Sequence, residues 1–236
     1  MKTLVFLHGW GASGRIWERQ AEAFQARRPV LTPTIPAWEV SWVKDFLKDL
    51  PLPDCLLVGW SLGGMLLVEA LAELEARPAA LVLAGVAASF CPRADYPLGQ
   101  PPGGVRAMRR AVKIDAGRVV GDFARQCLAP GESSFLPELL ERMQPGQSPE
   151  ELARGLDYLL ARDLRPDLAR LNGGRVTIIQ GDQDRITAAA QAQFLHRRLP
   201  GSRLKIIAGA GHLPFFTRAA EFNEVLEEIL GGGRGT

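Results

Sequence analysis

Gly59-Trp60-Ser61-Leu62-Gly63-Gly64 sets a serine between glycines two residues either side of it. An apolar run (residues 55–58) precedes this motif, and an apolar stretch with helical spacing (residues 63–74) follows it. Strand, tight turn and helix in that order form the setting in which Gly-x-Ser-x-Gly exposes a nucleophilic hydroxyl. The glycines let neighbouring backbone pass the turn without a Cβ in the way. The helix start offers free N–H groups and the positive end of the helix dipole to a developing oxyanion. The chemistry implied is acyl transfer, with Ser61 as the attacking group.

A serine hydroxyl needs a base. The chain has three histidines, His8, His196 and His212. His212 lies in Gly209-Ala210-Gly211-His212-Leu213-Pro214-Phe215, just beyond the strand-like segment 203–207. Loops at the carboxyl ends of parallel strands are where an open sheet places its site, so His212 is the candidate base. His196 sits in the helical pattern Phe194-Leu195-His196-Arg197-Arg198 and suits packing or solvent. His8 follows the first strand directly and suits shaping a loop. The base needs a carboxylate to hold its tautomer, and in this arrangement the order along the chain is Ser, acid, His. Asp182 and Asp184 both follow the apolar run 176–180. Asp184 is preferred, since Gly-x-x-Asp is the spacing of this loop in nucleophile-elbow folds. Asp182 then reads as a solvated or turn-capping carboxylate. The oxyanion donors expected are the backbone N–H groups of Leu62 and of Trp10, in His8-Gly9-Trp10-Gly11, with the Trp10 side chain walling the pocket or filling the core.

These groups must be carried by a sheet. Short apolar runs alternate with helical patterns along the 236 residues, which implies an α/β fold with a mostly parallel sheet flanked by helices. Strands are expected at 3–7, 29–34, 55–59, 80–85, 175–180 and 203–207. Helices are expected at 16–26, 40–50, 63–74, 188–198 and 218–230, and residues 231–236 are expected to fray. Between 91 and 163 the alternation stops. That stretch opens on Pro97, Gly99, Pro101, Pro102, Gly103 and Gly104 and continues with helical patterns at 105–114, 118–128, 134–143 and 149–160. The expected organisation is a core of residues 1–90 and 164–236, with residues 91–163 inserted as a helical lid.

Composition is that of a soluble globular chain, 47% hydrophobic and 23% charged. A formal charge of +2 gives no footprint for nucleic acid. The three cysteines, Cys55, Cys91 and Cys127, are widely spaced, which points to free thiols in a reducing cytoplasm with no metal site. The apolar start ends at His8, too short for the roughly 7–15 residues of a secretory h-region. No segment approaches the ~20 apolar residues of a membrane span. No cofactor is implied, and a monomer is expected.

Taken together, these motifs resemble the α/β-hydrolases. Within them the Trp-containing versions, His8-Gly9-Trp10-Gly11 and Gly59-Trp60-Ser61-Leu62-Gly63-Gly64, resemble the carboxylesterases of biotin synthesis. Ala88-Ser89-Phe90-Cys91, Arg93-Ala94-Asp95-Tyr96-Pro97, Asp163-Leu164-Arg165 and Gly211-His212-Leu213-Pro214-Phe215 add to the likeness. The segment Thr32-Pro33-Thr34-Ile35-Pro36-Ala37-Trp38 departs from it, lacking the glycine-rich loop of most relatives. The resemblance implies removal of the methyl group from pimeloyl-acyl-carrier-protein methyl ester through an acyl-enzyme. It also implies that Phe123-Ala124-Arg125-Gln126-Cys127 touches the acyl chain, together with Trp10, Ser61, Leu62 and His212.

Residues 91–130 hold seven basic side chains (Arg93, Arg106, Arg109, Arg110, Lys113, Arg118, Arg125) against three acidic ones (Asp95, Asp115, Asp122). A basic lid suits an acidic carrier protein, with Arg106, Arg109 and Arg110 as candidate contacts, and equally suits a set of solvated helix faces. Two rival functions stay open. One is a general short-chain esterase or thioesterase without carrier specificity. The other is a non-catalytic binding protein on the same fold.

Overall fold

The computed structural model describes residues 2–143 and 147–232. The expected fraying at 233–236 lies outside them. Six strands form one parallel sheet: β1 (Thr3–Leu7), β2 (Val30–Leu31), β3 (Cys55–Trp60), β4 (Ala80–Ala84), β5 (Val176–Gly181) and β6 (Arg203–Ile207), in the order β2-β1-β3-β4-β5-β6. β1, β3, β4 and β5 read as near-continuous apolar runs because helices cover both faces of the sheet. The order reverses between β1 and β3, which opens a crevice beyond their carboxyl ends. The register pairs Leu7 with Gly59, Trp60 with Ala84 and Gly181 with Ile207. The segments after β1, β3, β5 and β6 therefore leave the sheet at one edge.

Helices α1 (Glu18–Phe24), α2 (Val40–Lys48) and α3 (Ser61–Glu73) precede β4. Between β4 and β5 come α4 (Pro102–Val112), α5 (Ala116–Cys127), α6 (Leu136–Arg142) and α7 (Pro149–Ala161). Then follow α8 (Ala189–Arg198), α9 (Pro214–Thr217) and α10 (Ala219–Leu230). None of the described helices is long and apolar enough to cross a membrane. Several elements differ from the sequence-based expectation. The second strand shrinks from 29–34 to two residues, because Pro33 and Pro36 cannot donate to a ladder. The first helix starts as a 3-10 turn at Gly14–Trp17, and a short helix that was not expected, Pro214–Thr217, precedes the closing one. The helix after β3 begins at Ser61 itself.

α3 is buried on nearly every side, so it is apolar all round. Its one buried charge, Glu69, accepts the Tyr158 hydroxyl at 2.6 Å and pairs with Arg162, tying the end of α7 to the middle of α3. The chain leaves for the insertion and returns from it at one point. Ser89 and Asp163 form an antiparallel bridge, and Leu164 N–H donates to the Ala88 carbonyl at 2.7 Å. Arg93 closes this neck by donating to the carbonyls of Leu160, Ala161 and Arg162 at the end of α7.

Candidate active site

Ser61 stands at the junction of β3 and α3 with φ of +52°, and it is the one non-glycine residue at positive φ among those described. Left-handed backbone costs a side-chain-bearing residue on the order of 1–2 kcal/mol, so the turn holds stored strain. Tight packing keeps it there. A Cβ at Gly63 would lie 2.2 Å from the His8 carbonyl oxygen. Leu62 is the second residue of α3, where a helix N–H has no intrahelical carbonyl to meet.

Asp184 and His212 meet in a buried pair, with Nδ1 to Oδ2 at 2.7 Å and neither side chain exposed. The carboxylate is held from all sides. Oδ1 accepts from the N–H groups of Ile186 (2.7 Å) and Thr187 (2.9 Å). Oδ2 also accepts from Gln180 Nε2 (2.7 Å) and the Thr187 hydroxyl (2.8 Å). Burial works against ionisation of Asp184, but the adjacent His212 and the bonds from Thr187 hold its carboxyl below the usual range. The His212 carbonyl accepts from the Trp60 indole at 2.9 Å, which binds the histidine loop to the residue before Ser61. His212 Nε2 is buried with no hydrogen-bond partner among the described residues. With Nδ1–H directed at Asp184, Nε2 presents a free lone pair, as a general base requires. Asp182 is exposed and caps a different turn, accepting from Gly209 N–H at 2.7 Å. His196 lies on α8 and bonds the Ser202 hydroxyl at 2.9 Å, away from this cluster.

His8 shapes the loop after β1. Its Nδ1 donates to the Gly9 carbonyl (2.9 Å), while Nε2 accepts from Ile35 N–H (2.8 Å). Both ring nitrogens are thus used by the neutral form. Burial lowers the imidazole to a pKa of about 4, against the pull of the Gly9 carbonyl. The unfolded chain therefore takes up a proton near the ordinary value of about 6.5, which the folded chain refuses until about pH 4. Stability should fall as pH drops through that window, by about 3 kcal/mol in total. Asp184 adds a loss of the same sign at lower pH, so it does not mask the His8 contribution between pH 6.5 and 5. Urea midpoints measured at pH 7.5, 6.0 and 5.0 should decline for wild type and flatten for His8→Gln. Parallel curves would remove His8 as the cause.

The insertion covers this edge. The Trp10 indole donates to the Leu152 carbonyl on α7 (2.8 Å) and meets Phe123 of α5 edge-on at 5.3 Å. Phe123 in turn lies edge-on to His212 at 6.4 Å. A cleft of about 430 Å³ opens between α4 and α5, lined by Phe90, Val105, Met108, Val119, Phe123 and Ile186 among others. Trp10 is buried beneath Phe123 and does not line this cleft. Within the segment expected to touch an acyl chain, Phe123 and Gln126 line the cleft and Ala124 is buried. Arg125 points to solvent and pairs with Asp122. The Cys127 side chain is buried, and its carbonyl accepts the His212 N–H at 2.7 Å. Burial first, and Asp184 second, push the Cys127 thiol well up. Arg106 and Arg110 are exposed, but Arg109 is bound across the insertion to Asp157 of α7 at 2.5 Å. Among the described residues no group of three His, Cys, Asp or Glu side chains could hold a metal ion.

A model of the Alpha/beta hydrolase family matches residues 4–225. The chain belongs to that family. Among relatives of this α/β-hydrolase, a pimeloyl-[acyl-carrier protein] methyl ester esterase from Aromatoleum aromaticum is 28% identical, over 97% of this chain and 98% of that one. A protein of the same name from Nitrosomonas europaea is also 28% identical, over 93% and 92%. The solved structure of the esterase EaEST from Exiguobacterium antarcticum matches with a TM-score of 0.87. It covers 97% of this chain and 91% of that one at 23% identity, a likeness of fold alone.

Two further residues of the candidate site in this α/β-hydrolase, Gln180 and Thr187, escaped sequence reasoning. Both donate to Asp184. Thr187 carried a local signal, because an Asp that opens a turn accepts from the backbone a few residues on and so brings the Thr187 hydroxyl to Asp184. Gln180 carried a weaker one, as a polar side chain after the apolar pair Ile178-Ile179 near the end of β5.

Proposed function

We propose that this chain is a serine carboxylesterase whose substrate is pimeloyl-acyl-carrier-protein methyl ester. The observation that carries the reading is the buried Asp184–His212 pair, with a free Nε2, at the sheet edge where Ser61 sits in left-handed backbone. Ser61 Oγ attacks the ester carbonyl carbon as His212 Nε2 takes its proton, and the carbonyl electron pair moves onto oxygen. The N–H groups of Leu62 and Trp10 hold that oxyanion. The intermediate collapses, His212 returns the proton to the departing alcohol, and an acyl-serine remains. Water then repeats the sequence from the other side, with His212 as base, and frees the acid and the serine. Phe123 belongs to both the cleft and the surroundings of His212, so the acyl chain reaches Ser61 past it. Residues 91–163 act as the lid. The relatives' name supports the substrate, as do the exposed Arg106 and Arg110 on α4, which suit an acidic carrier.

The deciding measurement compares a carrier-bound methyl ester with p-nitrophenyl butyrate. Arg109 is left out, since it holds α4 to α7. Arg106→Glu with Arg110→Glu should raise KM for the carrier ester about tenfold or more, and rising salt should do the same to wild type. The small ester should be hydrolysed as before. Equal effects on both substrates, or none on either, would leave the mostly apolar cleft serving a general short-chain esterase.

A further inference from the structure

Glu132 is fully buried in the 3-10 segment Pro130–Phe135 that follows α5, far along the chain from the histidine loop. Its Oε2 accepts two backbone N–H groups, from Ala129 at 2.9 Å and from Gly211 at 3.0 Å. Gly211 immediately precedes His212. The next N–H, that of His212, goes to the Cys127 carbonyl at 2.7 Å. Two consecutive amides of the histidine loop are thus held by the 127–132 turn of the insertion. The approach is too close for any side chain at position 211. A Cβ there would lie 2.3 Å from the Cys127 carbonyl oxygen and 2.7 Å from Ala129 N. Arg218 completes the clamp. It donates to the Gly209 carbonyl at 3.1 Å and brings its other nitrogen 3.4 Å from Glu132 Oε1. Burying a carboxylate is costly, and this one serves no bond within the core sheet.

We propose that Glu132 is a positioning residue: it fixes the Gly209–Leu213 loop, and with it His212, against the insertion. The inference rests on the assignment of His212 as the base. It names a dependence that assignment does not contain, since the base is then held in place partly by a residue outside the α/β core. Misplacing a catalytic group by about 1 Å can cost on the order of 10²-fold in rate. The chemistry of the bonds makes a sharp distinction between variants. Both N–H groups land on the same oxygen, while Oε1, beside Arg218, accepts no hydrogen bond among the described residues. Glutamine can keep both with its amide oxygen, whereas alanine keeps neither.

The test uses the full chain, with p-nitrophenyl butyrate turnover and amide hydrogen exchange measured side by side. Glu132→Ala should lower kcat about 10²-fold while KM changes less than about threefold, and Glu132→Gln should stay within about fivefold of wild type. Exchange should quicken at residues 209–213 in the alanine variant, with β3 and β4 as protected as before. If the alanine variant does not fold, Glu132→Asp keeps the charge but is one methylene short of Gly211, and the same kcat loss is expected. Wild-type kcat in a folded alanine or aspartate variant would overturn the proposal. So would unchanged exchange at residues 209–213. Should wild type turn over no ester at all, it is the base assignment that fails, and the exchange measurement alone still decides whether Glu132 holds the loop.

Discussion

Ser61→Ala is expected to lower kcat for ester hydrolysis on the order of a million-fold while leaving the fold intact. The size follows from the role. In the proposed mechanism the Ser61 hydroxyl is the only protein atom that bonds to the acyl carbon, and without it the proposed oxyanion donors would be left to assist attack by water. The intact fold follows from the backbone. Alanine meets the same left-handed φ of +52° that serine does, so it neither relieves nor adds strain. That conformation gives the prediction a second arm. Glycine is at ease at positive φ, so Ser61→Gly should be equally inactive yet more stable than wild type by about 1 kcal/mol. A nucleophile held at a cost in stability should show this opposition of activity and melting temperature, whereas a serine that merely caps α3 should not. Hydrolysis of p-nitrophenyl butyrate and thermal melts of the three proteins supply both readouts. Turnover by Ser61→Ala within tenfold of wild type would sink the mechanism.

The central sheet was legible because its strands are buried on both faces. Cys55–Trp60 and Ala80–Ala84 are apolar without interruption, and an apolar run between glycine or proline turns has few other uses. β2 was not legible at its true length. It lies at the sheet edge with a single neighbour, and prolines beyond Leu31 end a ladder that β-propensity alone would extend. The α/β-hydrolase assignment rests on motifs in the chain order that this fold uses, and these motifs survive in sequence because each is local. Gly59 to Gly64 must form one turn, and Gly181 to Thr187 another. What escaped is long-range. The Glu132–Gly211 bond joins residues 79 apart, and the Trp10 indole reaches Leu152 across 142. Neither partner sits in a pattern that announces the other. The same holds for Arg109. Its basic neighbours on α4 suggest a docking face, but its own guanidinium is taken by Asp157 from a helix that begins some forty residues later.

Asp184→Asn should cost about 10⁴-fold in kcat near neutral pH, whereas Asp182→Asn should cost less than about threefold. Both aspartates leave β5 in the same turn, so the difference lies in what each carboxylate accepts. Asp184 takes five bonds and gives none, two on Oδ1 from Ile186 and Thr187 and three on Oδ2 from Gln180, Thr187 and His212. An asparagine must turn an NH₂ toward one of those sets. Facing His212, it donates where it should accept, so the imidazole keeps its proton on Nε2 and cannot receive one from Ser61. Facing the two backbone N–H groups, it sets donors against donors in a site without exposure and pushes the loop off the histidine. Neither orientation preserves both the tautomer and the position of the imidazole. Asp182 has a simpler task, a single bond from Gly209 N–H on an exposed side chain, and the oxygen of an asparagine can accept it equally well. Steady-state kinetics on p-nitrophenyl butyrate at pH 7.5, with melts to confirm folding, separate the two. Comparable losses at both positions would dissolve the assignment of the acid. A larger loss at Asp182 would reverse it, and would mean that the buried Asp184–His212 pair serves the fold and not the reaction.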